Sequence, residues 1–189
     1  MSLEIFKQSL KESTVVKKGK YQYVINPITD GVPSIKPDLL DEVVCEMYKR
    51  VGKCGPIDKI VTLEAMGIPL AGGLSLKMNK PFTIIRKKQY DLPDEISVDQ
   101  ITGYSKSKFF INGVNKDDNV IIVDDVLSTG GSLKAVLTAF EKIGVNVKGV
   151  FIAVDKGEVS EEIKDEYNIN VDVLVNINVI DGKVVVKNI

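Results

Sequence analysis

The chain has 189 residues, 44% apolar and 27% charged, with 25 basic against 26 acidic side chains, which fits one domain with a full core. A net charge of −1 gives no footing for general nucleic-acid binding, so an anionic ligand must be met by local positive charge. Histidine is absent, which excludes His-based triads, HExxH zinc sites and imidazole acid–base chemistry, and Cys45 and Cys54 without a CxxC pair read as free thiols rather than a disulfide framework or a zinc site.

The N-terminus, MSLEIFKQSLKES, is amphipathic and charged, so the expectation is a cytoplasmic protein without signal peptide or membrane span. Residues 3–10 suit a short helix, residues 21–25 a strand, and residues 26–37 (NPITDGVPSIKP) a Pro/Gly-punctuated excursion. Pro37 stands at the first turn of a helix running to about Val51, with Asp38 and Asp41 near its start and Gly52 at its end. Residues 59–63 predict a short buried strand. Residues 68–77 predict a helix, whose paired Gly72 and Gly73 suggest close packing on a sheet, and residues 82–85 predict the next strand. From 87 to about 104 the chain is polar, carries a proline and shows no periodicity; a long loop in a compact domain is usually functional or mobile. Residues 108–111 are extended, Asn112-Gly113 turns, and residues 120–123 form the central strand, followed by a helix over 133–143. A strand over 147–154, a helix over 159–167, a strand over 171–175 and a hairpin turned at Asp181-Gly182 complete the order. Strands alternating with helices predict an α/β fold with a doubly wound, mostly parallel sheet. No internal repeat, low-complexity tract or linker interrupts it.

The segment VIIVDDVLSTGGS, residues 120–132, is the most informative. An apolar strand delivers Asp124 and Asp125 to its carboxyl end, where ligands collect in open α/β sheets. Ser128, Thr129, Gly130, Gly131 and Ser132 can then wrap a phosphate, since glycine lets backbone approach closely and a helix N-terminus carries positive dipole. Acids beside a phosphate cradle suit a ligand with a diol at one end and a phosphate at the other, as in a ribose 5-phosphate. Neither GxGxxG nor GxxxxGK[ST] is present, so a dinucleotide fold and a P-loop fit poorly.

This segment resembles the 5-phosphoribosyl-1-pyrophosphate (PRPP) motif of the type I phosphoribosyltransferases. The resemblance implies their fold with a small hood subdomain, here about residues 14–37, and a mobile loop at about 88–108. Asp124 and Asp125 would take the ribose hydroxyls directly or through magnesium, and residues 128–132 the 5-phosphate. VTLEAMGIP similarly looks like the pyrophosphate loop of the adenine enzymes. There Glu64, Ala65, Met66 and Gly67 would offer bare amides to the leaving group, with a cis peptide at Glu64–Ala65; relatives commonly have arginine where Met66 stands. Arg86-Lys87-Lys88 matches a basic cluster of the same group, and Arg86 and Lys87 would contact pyrophosphate. In DQITGYSKSKFF, Tyr104, Ser105 and Lys106 fit a hood over PRPP, with Lys108 a further candidate. Gly103 stands where adenine enzymes usually have glutamate. Lys156, after the strand that follows the PRPP strand, fits the lysine that donates to O6 in 6-oxopurine enzymes. Similarity to the archaeal hypoxanthine/guanine phosphoribosyltransferases covers nearly the whole chain, through PITDGVP, EAMGIPL, TGYSK, DDVLSTGG and DGKVVV.

What the resemblance implies is a purine salvage transferase acting on PRPP and hypoxanthine or guanine, with Mg2+ as cofactor, in a homodimer. Asp124, Asp125 and Lys106 would carry the catalytic roles, and magnesium would be held mainly by PRPP oxygens and water, with Asp124 and Asp125 as the protein's candidate ligands. Two rivals stand beside it. One is adenine or xanthine phosphoribosyl transfer. The other is a PRPP-sensing regulator without turnover, which would normally carry an appended DNA-binding segment for which this chain has no room and no basic stripe.

Overall fold

The computed structural model describes residues 3–19, 21–102 and 105–187. Among them, a six-stranded sheet has the order β10-β9-β8-β7-β3-β4. Its strands are β3 (Lys59–Leu63), β4 (Phe82–Ile85), β7 (Asn119–Leu127), β8 (Asn146–Asp155), β9 (Val171–Ile180) and β10 (Lys183–Lys187). All neighbours run parallel except β10, which returns antiparallel on β9. The Asp181-Gly182 turn that reverses it has both residues at positive φ, the geometry of a tight hairpin. The doubly wound, mostly parallel architecture is therefore as expected.

The central strand shows why helices cover both faces. Ile121 and Val123 point into one core with α1 (Glu4–Lys11), α3 (Pro37–Val51) and α4 (Gly67–Met78). Val120 and Ile122 point into a second with α5 (Gly131–Ile143) and α6 (Ser160–Tyr167). Alternate side chains of a strand face opposite ways, so a run of apolar residues needs apolar cover on both sides.

Several elements depart from expectation. β7 does not stop at Val123: Asp124 pairs with Ile152 and Leu127 with Asp155, because β8 is long enough to keep the ladder going past the acids. The polar stretch after β4 contains β5 (Ile96–Thr102), paired antiparallel with β6 (Ser105–Ile111). Ile96 and Val98 of β5 pack on the α5 core; a period-2 pattern of two apolar residues is too short to stand out. β1 (Thr14–Lys18) pairs with β2 (Tyr21–Ile25), and α2 (Pro27–Asp30) follows within the excursion. The paired glycines of α4 do not face the sheet. A Cβ on Gly73 would stand 2.8 Å from Val44 Cγ2 of α3, whereas one on Gly72 meets nothing within 4 Å. The close approach is thus helix to helix, at Gly73 alone. No helix among the described residues is long and apolar enough to cross a membrane.

Candidate active site

β7 hands over to α5 through residues 128–132. Gly130 caps α5 at φ 74°, a left-handed conformation natural to glycine. A Cβ there would also come within 2.9 Å of Ile163 Cδ1 on α6. From the other side, a Cβ on Gly157 would collide with the Ser128 carbonyl oxygen, and the Lys156 N–H donates to Leu127 O at 2.8 Å. The loop is therefore pressed into shape by α6 and by the turn after β8. In front of it opens a cavity of about 470 Å3, lined by Glu64, Lys87, Asp124, Asp125 and residues 128–132. The sequence-predicted phosphate loop, acid pair and one predicted cation thus meet in one space.

Asp125 is 7% exposed, and burial raises its carboxyl to about 6. A hydrogen bond with Asp124 opposes that rise, the Asp30 carboxylate adds to it and Lys156 opposes it. Asp124 keeps some surface toward the cavity but is otherwise enclosed by protein; burial, then the neighbouring Asp125 charge, pushes it well above the usual carboxylate range. Two carboxyls this close and this dry favour a shared proton over two charges. A ligand offering hydroxyl donors or a cation would reverse that preference.

From the end of β3, Leu63 and Glu64 line the same cavity, and the rest of the loop continues behind them. The Glu64–Ala65 peptide is cis, as expected, and Met66 precedes α4, whose first residue is Gly67. The space at Gly67 that a Cβ would fill is taken by the Thr62 hydroxyl, by Asp124 Oδ1 at 2.6 Å and by the Val123 carbonyl at 3.1 Å. Glycine is required there by the protein's own packing. Arg86 Nε lies 2.6 Å from Glu64 Oε2, an ion pair without the alignment of a hydrogen bond. Its backbone pairs with Phe110 in both directions, tying β4 to β6. Lys87 lines the cavity and is exposed. Of the two predicted pyrophosphate cations, then, one faces the cavity and the other is matched by Glu64. Tyr104 and the side chains of Ser105 and Lys106 lie outside the described residues, and Lys108 sits 3.8 Å from Asp99 on an exposed ribbon.

A second cavity, about 500 Å3, shares Ser128 and Thr129 with the first and adds Lys156, Gly157, Gln22, Val24 and residues 177–180. Burial lowers the Lys156 ammonium, while the Asp30 and Asp125 carboxylates pull it back up. Asp30 ends α2, which is held rigidly. The fully buried Asn26 accepts from the Ile28 N–H at 2.9 Å and donates to Ser9 and Ser13 of the α1 segment, both at 2.9 Å. Asp30 Oδ2 in turn accepts from the Asn26 N–H at 2.9 Å and the Thr29 hydroxyl at 2.6 Å, a reciprocal cap. Beyond it, Gly31 rests on Met66, whose Cε lies 3.3 Å from where a Cβ would be.

Sequence reasoning missed Asp30, Thr62, Gln22, Val24 and the end of β9. Asp30 lay inside PITDGVP, but nothing local says that α2 folds toward Lys156. A threonine in a strand carries no signal at all.

Comparison with known proteins gives a consistent picture. The phosphoribosyl transferase domain family matches residues 39–184. The chain is 46% identical to a Methanothermobacter thermautotrophicus protein named hypoxanthine/guanine phosphoribosyltransferase, over 99% of this chain and 96% of that protein. It is 48% identical to a protein of the same name from Methanobacterium lacus, over 97% and 96%. Among solved structures, the adenine phosphoribosyltransferase of Thermoanaerobacter pseudethanolicus shares the fold with a TM-score of 0.73 at 20% identity, covering 92% of this chain and 99% of that one. The Giardia lamblia enzyme complexed with 9-deazaadenine gives 0.74 at 20% identity, covering 93% and 98%.

Proposed function

The chain belongs to the phosphoribosyl transferase domain family, and from that premise we propose that it joins hypoxanthine or guanine to the phosphoribosyl group of PRPP, giving IMP or GMP and pyrophosphate. The observation that carries this reading is the acid pair Asp124–Asp125 opening into the same cavity as the loop 128–132, with Lys156 lining the cavity next door. The names of the full-length relatives support the 6-oxopurine substrate.

Purine N9 attacks C1 of PRPP, the bond from C1 to the pyrophosphate oxygen breaks, and the N9 proton is released. The loop amides of 128–132 and the start of α5 hold the 5-phosphate. Asp124 and Asp125 accept from the ribose hydroxyls. Amides of residues 65–67, with Lys87, receive the departing charge, whereas the Glu64 N–H donates to Ile85 O at 3.1 Å and is not free to do so; the family resemblance adds Tyr104 and the Lys106 side chain, which lie outside the described residues. Arg86 reaches that charge by exchanging its Glu64 partner. Lys156 donates to O6, a contact that an exocyclic amino group cannot accept. Orienting the two reactants is the main work, so no protein nucleophile is needed.

Mg2+ fits this site. Its donor set is two carboxylates of hard oxygen character, and no cluster of three or more metal-ligating side chains occurs among the described residues, so PRPP oxygens and water would complete the shell. Bound there, the ion would neutralise pyrophosphate charge. The hood, about residues 14–37, would cover the base, and residues 88–108 would close over PRPP. A homodimer in the cytoplasm completes the reading. A panel of hypoxanthine, guanine, xanthine and adenine with PRPP and magnesium tests it: turnover of the first two supports it, and efficient turnover of adenine but not hypoxanthine overturns it.

A further inference from the structure

Thr62 presents a buried hydroxyl that the fold does not use. It lies on β3 between Ile84 and Val123 of the neighbouring strands and is 0% exposed. Its Oγ1 has no hydrogen-bond partner among the described residues. An isosteric valine would fill the same volume without stranding a polar atom, and stranding one is destabilising. The hydroxyl is also placed at a particular point. It, Asp124 Oδ1 and the Val123 carbonyl oxygen together fill the place a Gly67 Cβ would take, the carboxylate oxygen 2.6 Å and the carbonyl oxygen 3.1 Å from it. Only because residue 67 lacks a side chain do the two face each other across the start of α4.

We infer that Thr62 is a positioning residue for Asp124: its hydroxyl donates to the Asp124 carboxylate once that group turns to meet the ribose hydroxyls of PRPP. The donor satisfies one carboxylate oxygen from below and leaves the other for the sugar. Among the described residues the hydroxyl has no other partner, which is the arrangement expected of a donor kept for the occupied site. This inference rests on the proposed reaction, since it assigns Thr62 to the sugar end of that same site.

Thr62→Val and Thr62→Ser test it, with PRPP binding measured by calorimetry in the presence of magnesium and with KM values for PRPP and hypoxanthine. Thr62→Val is expected to weaken PRPP binding about tenfold, the worth of one hydrogen bond to a charged group. It should leave the hypoxanthine KM unchanged and raise the melting temperature of the free protein by about 2–4 °C. Thr62→Ser, which keeps the hydroxyl, should bind PRPP within about threefold of the parent. Parental PRPP affinity in Thr62→Val overturns the inference, as does a loss shared equally by hypoxanthine and accompanied by a lower melting temperature. If the parent itself neither binds PRPP nor turns over purines, the proposed reaction fails instead, and the two failures are distinguishable.

Discussion

The proposed donor side and the proposed base side of the site are built in opposite ways. The donor side is nearly continuous in sequence: acids at 124 and 125 and a loop at 128–132 come from one strand–loop–helix unit. Its shape is set by glycines whose missing side chains are occupied by neighbours, Ile163 at Gly130 and Asp124 at Gly67. The base side is assembled from Gln22 and Val24 of β2, Lys156 after β8, and residues 177–180 of β9. A phosphate and a diol can be gripped by one turn of backbone with two acids, whereas a flat base needs walls from several directions. The first kind of site can be read along the chain, and the second exists only after folding.

If that division holds, substitutions should separate by substrate. The largest effect is expected at Asp125. Asp125→Asn should lower kcat/KM for PRPP by roughly a hundredfold or more, through weakened charge-assisted bonds to the ribose, with the hypoxanthine KM little changed. The same substitution should stabilise the free protein near neutral pH. The native carboxyl holds its proton up to about 6 against an ordinary value of 3.8, so between those values the native state binds more protons than the unfolded one. Stability therefore falls as pH rises through that window and stays low above it. Asparagine removes the slope, and the gain at pH 7 is about 1–3 kcal/mol. Denaturant titrations at pH 4 and pH 7 would detect it, and a flat difference between parent and variant would contradict it.

Lys156→Ala acts on the other side. Its expected signature is a fall of about tenfold to a hundredfold in kcat/KM for hypoxanthine with the PRPP KM unchanged, read from steady-state kinetics with each substrate varied. Gly130→Ala comes next. Strain at positive φ and the Ile163 contact should cost about 1–3 kcal/mol and raise the PRPP KM, leaving base selectivity intact. The smallest effect is expected from Met66→Ala, which removes the support under Gly31 and should raise the hypoxanthine KM about threefold, as a positioning loss rather than a lost contact. Should Met66→Ala instead change only the PRPP KM, the Met66 side chain, like its amide, would serve the donor side.

The same contrast explains what the sequence disclosed. Residues 120–132 announced strand, acids and loop together because an apolar run, acidity and glycine spacing are all local signals. The doubly wound, mostly parallel sheet followed from strands alternating with helices, and the helices at 37–51 and 133–143 followed from periodicity and caps, whereas the order of the strands came only with the structure. β5 was hidden because, among its described side chains, only Ile96 and Val98 pack on the core, and α2 because four residues carry no period. Asp30 and Thr62 meet partners roughly sixty to a hundred and thirty residues away along the chain (Lys156 and Asp125 for Asp30, Asp124 for Thr62), and no local pattern encodes such a meeting. Gly73 shows the opposite failure: the glycine signal was real, but it marked a helix–helix approach to Val44.

The most direct test is a crystal structure of the protein with PRPP and magnesium. The expected result is the 5-phosphate seated against the amides of residues 128–132, with both ribose hydroxyls on Asp124 and Asp125. Density for the sugar phosphate elsewhere on the sheet, or an acid pair that leaves the ribose untouched, would contradict it.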